Sequence, residues 1–103
     1  MKGFDMAFVI YSEEEGVFIG ECLGLGFWSK LDPVDQDCAV TFSSVDAAEA
    51  FMAGWEGGRP VGATLVPVVP DRVDGSASIA ACMRAGLPEW ITDNSETANY
   101  RPI

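Results

Sequence analysis

The chain has no histidine. It therefore lacks the side chain whose charge changes most readily near neutral pH, and with it the commonest general base and metal ligand. A hydrolase triad, an imidazole-bearing zinc site and most acid–base chemistry are disfavoured from the outset. Bases are also scarce: 6 Lys and Arg face 16 Asp and Glu in 103 residues, a formal net charge of −10. Proteins that grip nucleic acid displace phosphate counterions with Lys and Arg, so direct nucleic-acid binding is disfavoured too. Cysteines are few, and their odd number and wide spacing (Cys22, Cys38, Cys82) make no disulfide framework. They read as free thiols. Long apolar runs are missing: the longest uncharged stretch, 60–70, has 11 residues, while a bilayer span needs about 20. An acid at Asp5 stands where a secretory signal needs an apolar run. The expectation is a soluble, cytoplasmic protein of a reducing compartment.

What the chain does have is core material. Hydrophobic residues make up 49% of it, including 6 Phe, 3 Trp and 2 Tyr. Acidic disordered tails are poor in such residues, and this length supports one core. Phe4 to Tyr11 reads as a strand with both faces largely apolar, hence covered on both sides. Ser12 to Gly16 is a polar turn, with Gly16 able to take positive φ. Val17 to Leu23 is the return strand. Gly20, Gly24 and Gly26 punctuate the next segment, which reads as a loop carrying Leu25, Phe27 and Trp28. After a polar loop with Pro33, Cys38 to Phe42 is a short third strand.

Ser43 reads as a helix N-cap with Asp46 at the third helical position, resembling a capping box. Ala48, Phe51, Met52 and Trp55 fall at i, i+3, i+4 and i+7, and Gly57-Gly58 ends the helix. Val61 to Val69 is a fourth strand, confined to an edge by Pro67 and Pro70. The expectation is an α+β fold of order β-β-β-α-β, an antiparallel sheet with one helix on a face. Residues 1–70 form the core domain and 71–103 an extension packed on it. In the extension, Ser78 to Ala85 reads as a short helix with Ser76 as a possible cap and Gly86 as stop. Pro88 to Ile91 is an anchor through Trp90, and Thr92 to Ile103 is irregular.

The charge is lopsided. Residues 1–58 hold 11 acids and 2 bases, net −9; residues 59–103 hold 5 acids and 4 bases, net −1. Three clusters account for most of it: Glu13, Glu14 and Glu15 in the hairpin turn; Asp32, Asp35 and Asp37 before the third strand; Asp46, Glu49 and Glu56 as a ridge beside the helix's apolar stripe. Such a surface attracts a basic partner and speeds association. It equally serves solubility or tolerance of high salt. The Asp32, Asp35, Asp37 spacing misses that of a calcium loop. The glycines form no phosphate loop, and Cys22 has no cationic or histidine neighbour to activate it. No metal, cofactor or catalytic activity is expected. Phe27 and Trp28 either cap the core or form an apolar anchor in a charged rim, the usual anatomy of an interface.

Two segments, FDMAFVIYSEEEGVFIGE (4–21) and AVTFSSVDAAEAFMAGW (39–55), give the chain a profile that resembles small acidic proteins of bacteriophages and mobile elements, of the anti-CRISPR kind. The resemblance spans residues 4–56 and carries over no functional residue. It implies a non-enzymatic inhibitor that binds a Cas effector or another basic nucleic-acid-handling complex in the bacterial host, blocking DNA binding by mimicking nucleic-acid charge. On that reading the partner-binding residues are Glu13, Glu14, Glu15, Phe27, Trp28, Asp32, Asp35, Asp37, Asp46, Glu49 and Glu56. The alternative is a structural or regulatory phage protein that self-associates as a homodimer through sheet edges or the Trp28 patch.

Overall fold

The computed structural model describes residues 6–31, 36–87 and 98–103. The first hairpin follows the sequence pattern. β1 (Ala7–Ser12) turns back at Glu13 to Glu15 into β2 (Gly16–Cys22). Gly16 closes the turn at φ +97°. A Cβ there would lie 1.8 Å from the Ser29 carbonyl oxygen, so both the left-handed backbone and the close approach require glycine. β1 alternates: Val9 and Tyr11 face one core cluster and Ile10 the other. The strand is therefore covered on both faces, as its doubly apolar pattern implies.

The glycine-punctuated segment is a strand, not a loop. β3 (Leu25–Ser29) pairs antiparallel with β2, and the register shifts between Phe18 and Gly20. Gly26 pairs within the ladder, and it is glycine because neighbours fill its side-chain position. A Cβ there would sit 2.7 Å from Ile103 Cγ2 and 3.3 Å from Trp28 Nε1. On its far edge β3 pairs with β7 (Ala98–Pro102), a segment expected to be irregular. A strand that adds to an existing edge draws on that edge's unpaired backbone groups, which its own sequence does not announce.

The expected third strand is divided. β4 is only Cys38–Ala39, and it pairs with β6 (Ala77–Ser78) in a separate two-stranded sheet. Residues 40–42 then wedge between β1 and β2, which pair directly only at Tyr11–Val17 and Ser12–Gly16. The Val40 N–H donates to the Phe18 carbonyl at 3.1 Å, and Phe8 and Phe42 exchange two backbone bonds of 2.8 Å. β5 (Thr64–Val68) lies on the open side of β1. Pro67 fits there because an edge strand needs no donor on its outer side. The main sheet runs β5-β1-β2-β3-β7.

α1 (Val45–Ala53) is capped by Ser44, one residue later than expected, with Ser44 Oγ accepting from the Ala47 N–H at 3.0 Å. Asp46 thus occupies the second helical position, and no capping box forms. The helix ends at Gly54, so Trp55 and Glu56 follow it. α2 (Ile79–Arg84) is capped by Ser78 rather than Ser76. Asp71 organises that cap: its carboxylate accepts from the Ser78 N–H and hydroxyl.

The two helices cover opposite faces of the sheet. On one side Ile10, Phe18, Trp28, Met52 and Trp55 form an aromatic cluster under α1. On the other, Val9, Val17, Leu31, Val68, Ile79 and Cys82 pack beneath α2 and the small sheet. The architecture is α+β, with more elements than β-β-β-α-β. Residues 77–87 supply much of one core cluster, and β7 extends the main sheet. Asp32, Asp35 and the Pro88 to Ile91 anchor lie outside the described residues. Among the described residues no helix is long and apolar enough to cross a membrane.

Candidate functional site

The hairpin turn and the end of α1 face each other across a cleft of about 310 Å³. Glu14 and Glu15 line one wall; Gly57, Gly58, Pro60 and Val61 line the other. Trp28, Trp55 and Ile103 also line it, the two tryptophans being almost wholly buried. Local sequence explains the arrangement. Ser12 Oγ accepts from the N–H groups of Glu14 and Glu15 (3.3 and 3.4 Å) and so fixes the turn. Past Gly54 the chain turns tightly: the Trp55 N–H donates to Met52 at 3.1 Å and Gly58 to Trp55 at 2.9 Å. This drives the Trp55 ring under the sheet, 5.3 Å from Phe18 and 6.4 Å from Trp28. The Glu56 N–H donates to the Ile103 carbonyl at 3.0 Å, and the Ile103 N–H to Gly24 at 3.0 Å.

A second, more open groove lies on the far side of Trp55 and Ile103. It runs between Phe51 of α1 and the tip of the β2–β3 hairpin, with Glu21 and Leu23 on its edge. Leu23 is 95% exposed and held at φ 53°, where a non-glycine residue is strained. The two depressions share Trp55 and Ile103 as lining residues, and each has a glutamate at its edge.

The acids expected to act together are not all together. Glu13, Glu14 and Glu15 share the turn, and Glu56 is tied to Ile103 by its backbone. Asp46 stands at the other end of α1, about 13 Å away along the axis. Asp37 precedes β4, which packs against α2's side of the sheet. Glu49 is engaged by Arg59, whose hydrogen bond holds the carboxyl below the usual range. The helical ridge is therefore broken, because Glu56 is past the helix and Glu49 is paired.

Trp28 is corrected from surface anchor to core residue: it is 1% exposed and meets Phe18 edge-on at 5.3 Å. Strand alternation puts it inside, whereas a loop would have left it free. Phe27, its neighbour on the other face, is half-buried. The clefts also use residues that the sequence did not single out: Ile103, Gly57, Pro60, Val61 and Leu23. Trp55 had a signal, as the last position of the apolar stripe. Ile103 had none, since its place depends on β7.

Among the described residues no three His, Cys, Asp or Glu converge as a metal site. Cys82, the buried thiol, is pushed up to about 11, chiefly by burial and then by Asp71 and Cys38, which keeps it a thiol rather than a nucleophilic thiolate. Burial, and then Glu13, raise Tyr11. Exposed Asp71 and Asp74 are lowered by hydrogen bonds from Ser78 and Ser76 respectively. Carboxylates and apolar side chains thus lie side by side at the cleft. No family model, curated protein or solved structure matches the chain.

Proposed function

We propose that this protein is a non-catalytic inhibitor that binds a basic, nucleic-acid-handling protein complex, of the kind targeted by anti-CRISPR proteins. One observation carries the reading: carboxylates of the hairpin turn, Glu14 and Glu15, line a cleft together with apolar Pro60, Val61 and Ile103, and the first 58 residues hold a net −9. Glu13, Glu14, Glu15 and Glu56 offer negative charge to Lys and Arg that would otherwise hold phosphates, and the cleft offers apolar area beside it. Charge of this kind acts mainly on encounter rate and orientation, while a few buried contacts supply most affinity. A mobility-shift competition with a purified Cas effector and its target DNA tests the proposal. Displacement of DNA that weakens steeply between low and high salt is expected. Undisturbed DNA binding at every protein concentration and salt would reject it.

A second reading, self-association, is favoured by the groove between β5 and α2. Its lining includes Met6 and Val69, each 47% exposed. Pro67 leaves the open edge of β5 without a donor at that point, so two copies would meet through side chains. Light scattering on the eluted protein separates the readings: an obligate dimer supports this one, and a monomer at working concentration removes it.

A further inference from the structure

We infer that the groove between α1 and the tip of the β2–β3 hairpin is a docking site for an amphipathic helix with basic flanks, and that Leu23 is its apolar anchor. This deepens the functional reading above by naming the form of the partner, and it rests on that reading for the partner's identity. The first observation is Leu23 itself. Cys22 pairs with Leu25, so Leu23 and Gly24 are the two central residues of the hairpin, at φ 53° and 79°. Positive φ at both positions is the pattern of a type I′ turn, which favours Asn-Gly. A leucine costs backbone energy there. It is also 95% exposed and belongs to neither core cluster. Water and the backbone both disfavour it, and packing within the fold offsets neither. A residue that breaks local rules with no gain inside the fold points to a use outside it.

The second observation is what Leu23 borders. Phe51 and Ile103 are only partly buried, and with Trp55 they line an open groove of about 630 Å³. Leu23 extends that apolar lining outward from the groove's edge. The third observation is charge. Glu21 is exposed on the same edge, and no Lys or Arg lines the groove. Among the described residues no ion pair engages Glu21. Ile103 apart, every lining residue belongs to the first 58 residues, which hold a net −9. The field there favours Lys and Arg beside the partner's apolar surface and opposes an acidic partner. It opposes a second copy of this chain for the same reason. A helix carries an apolar stripe with bases on its flanks along one surface, the complement of this groove.

The test uses the full chain, isotope-labelled for proton–nitrogen NMR, and a synthetic helix of about 14 residues, roughly four turns, with leucine on one face and lysine on the other. Amide signals of residues 21–24 and 50–54 should move and saturate. A scrambled peptide of the same composition has no apolar face, and a version with glutamate in place of lysine has the wrong charge. Each should bind at least tenfold more weakly. Leu23→Asn should weaken the helix about tenfold and raise the melting temperature by about 4 °C. A leucine that served only the fold would not give changes of opposite sign. Ala50→Arg, exposed on the α1 wall of the groove, should abolish binding. Groove signals that do not move, equal binding of the scrambled peptide, or a Leu23→Asn variant that binds equally or melts lower overturns the site. Groove signals that shift with the protein's own concentration assign the groove to a second copy and overturn it too. If the helix binds here but no basic complex is bound, the functional reading fails and the site stands. If a complex is bound and the groove signals ignore the helix, the site fails and the functional reading stands.

Discussion

Arg59 holds Glu49 through two contacts, Nε to Oε1 at 2.7 Å and Nη2 to Oε2 at 3.1 Å. The pair is about 40% exposed on each side, so it contributes little to stability. Its consequence is for the surface: one acid of the helix is already neutralised. Arg59→Gln should raise the titration midpoint of the Glu49 carboxyl, read by carbon-detected NMR. The sign follows from the lowered folded value. The pair's contribution is present above the ordinary carboxylate range, near pH 4.3, and is lost as pH falls through the folded pKa. Removing both charges together, Glu49→Gln with Arg59→Gln, should leave binding of a basic partner unchanged.

Trp28 decides between core and anchor. Trp28→Ala should cost about 3–5 kcal/mol in urea unfolding, a large part of a small domain's total stability. A loss under 1 kcal/mol would return Trp28 to the surface.

The helix start gives a sharper comparison. Ser44→Ala should destabilise by about 1 kcal/mol, because Ser44 Oγ holds the Ala47 N–H. Ser43→Ala, one residue earlier and exposed, should change little. Thermal melts of the two variants check it, and the reverse order would restore Ser43 as the cap.

This one-residue shift shows where the sequence was legible. Adjacent serines before one apolar stripe offer two caps, and only packing of Met52 and Trp55 selects between them. The hairpin was clear because Gly16, the polar turn and the alternation of Val9, Ile10 and Tyr11 agree. β3 was obscured by glycines whose purpose lies elsewhere: Gly26 makes room for Ile103 and Trp28. The split of β1 from β2 by Val40 and Phe42 is a long-range pairing with no local signature. Of the candidate site, the turn acids were visible as a charge run. The cleft beneath them depends on Trp55 turning inward after Gly54 and on Ile103 arriving beside β3, and neither is written in a local pattern.

Cys82 supplies a pH dependence of the opposite sign. Burial raises its pKa to about 11, above the ordinary thiol value near 8.5. A raised folded pKa favours folding below the unfolded value, and that contribution is lost as pH climbs from there through about 11. Cys82→Ala should flatten the fall in stability over that range, read by urea midpoints at successive pH values. In the native protein at neutral pH, a thiol reagent should modify exposed Cys22 and spare Cys82 until the chain unfolds.

The most direct test of the central claim is the association rate of this protein with a purified Cas effector as a function of ionic strength, for the wild type and for Glu13→Gln, Glu14→Gln and Glu15→Gln combined. The account predicts that the wild-type rate falls at least tenfold from low salt to about 0.5 M. It further predicts that the triple variant associates slowly at low salt and loses most of this dependence. Equal rates for the two proteins, or a wild-type rate indifferent to salt, would contradict it.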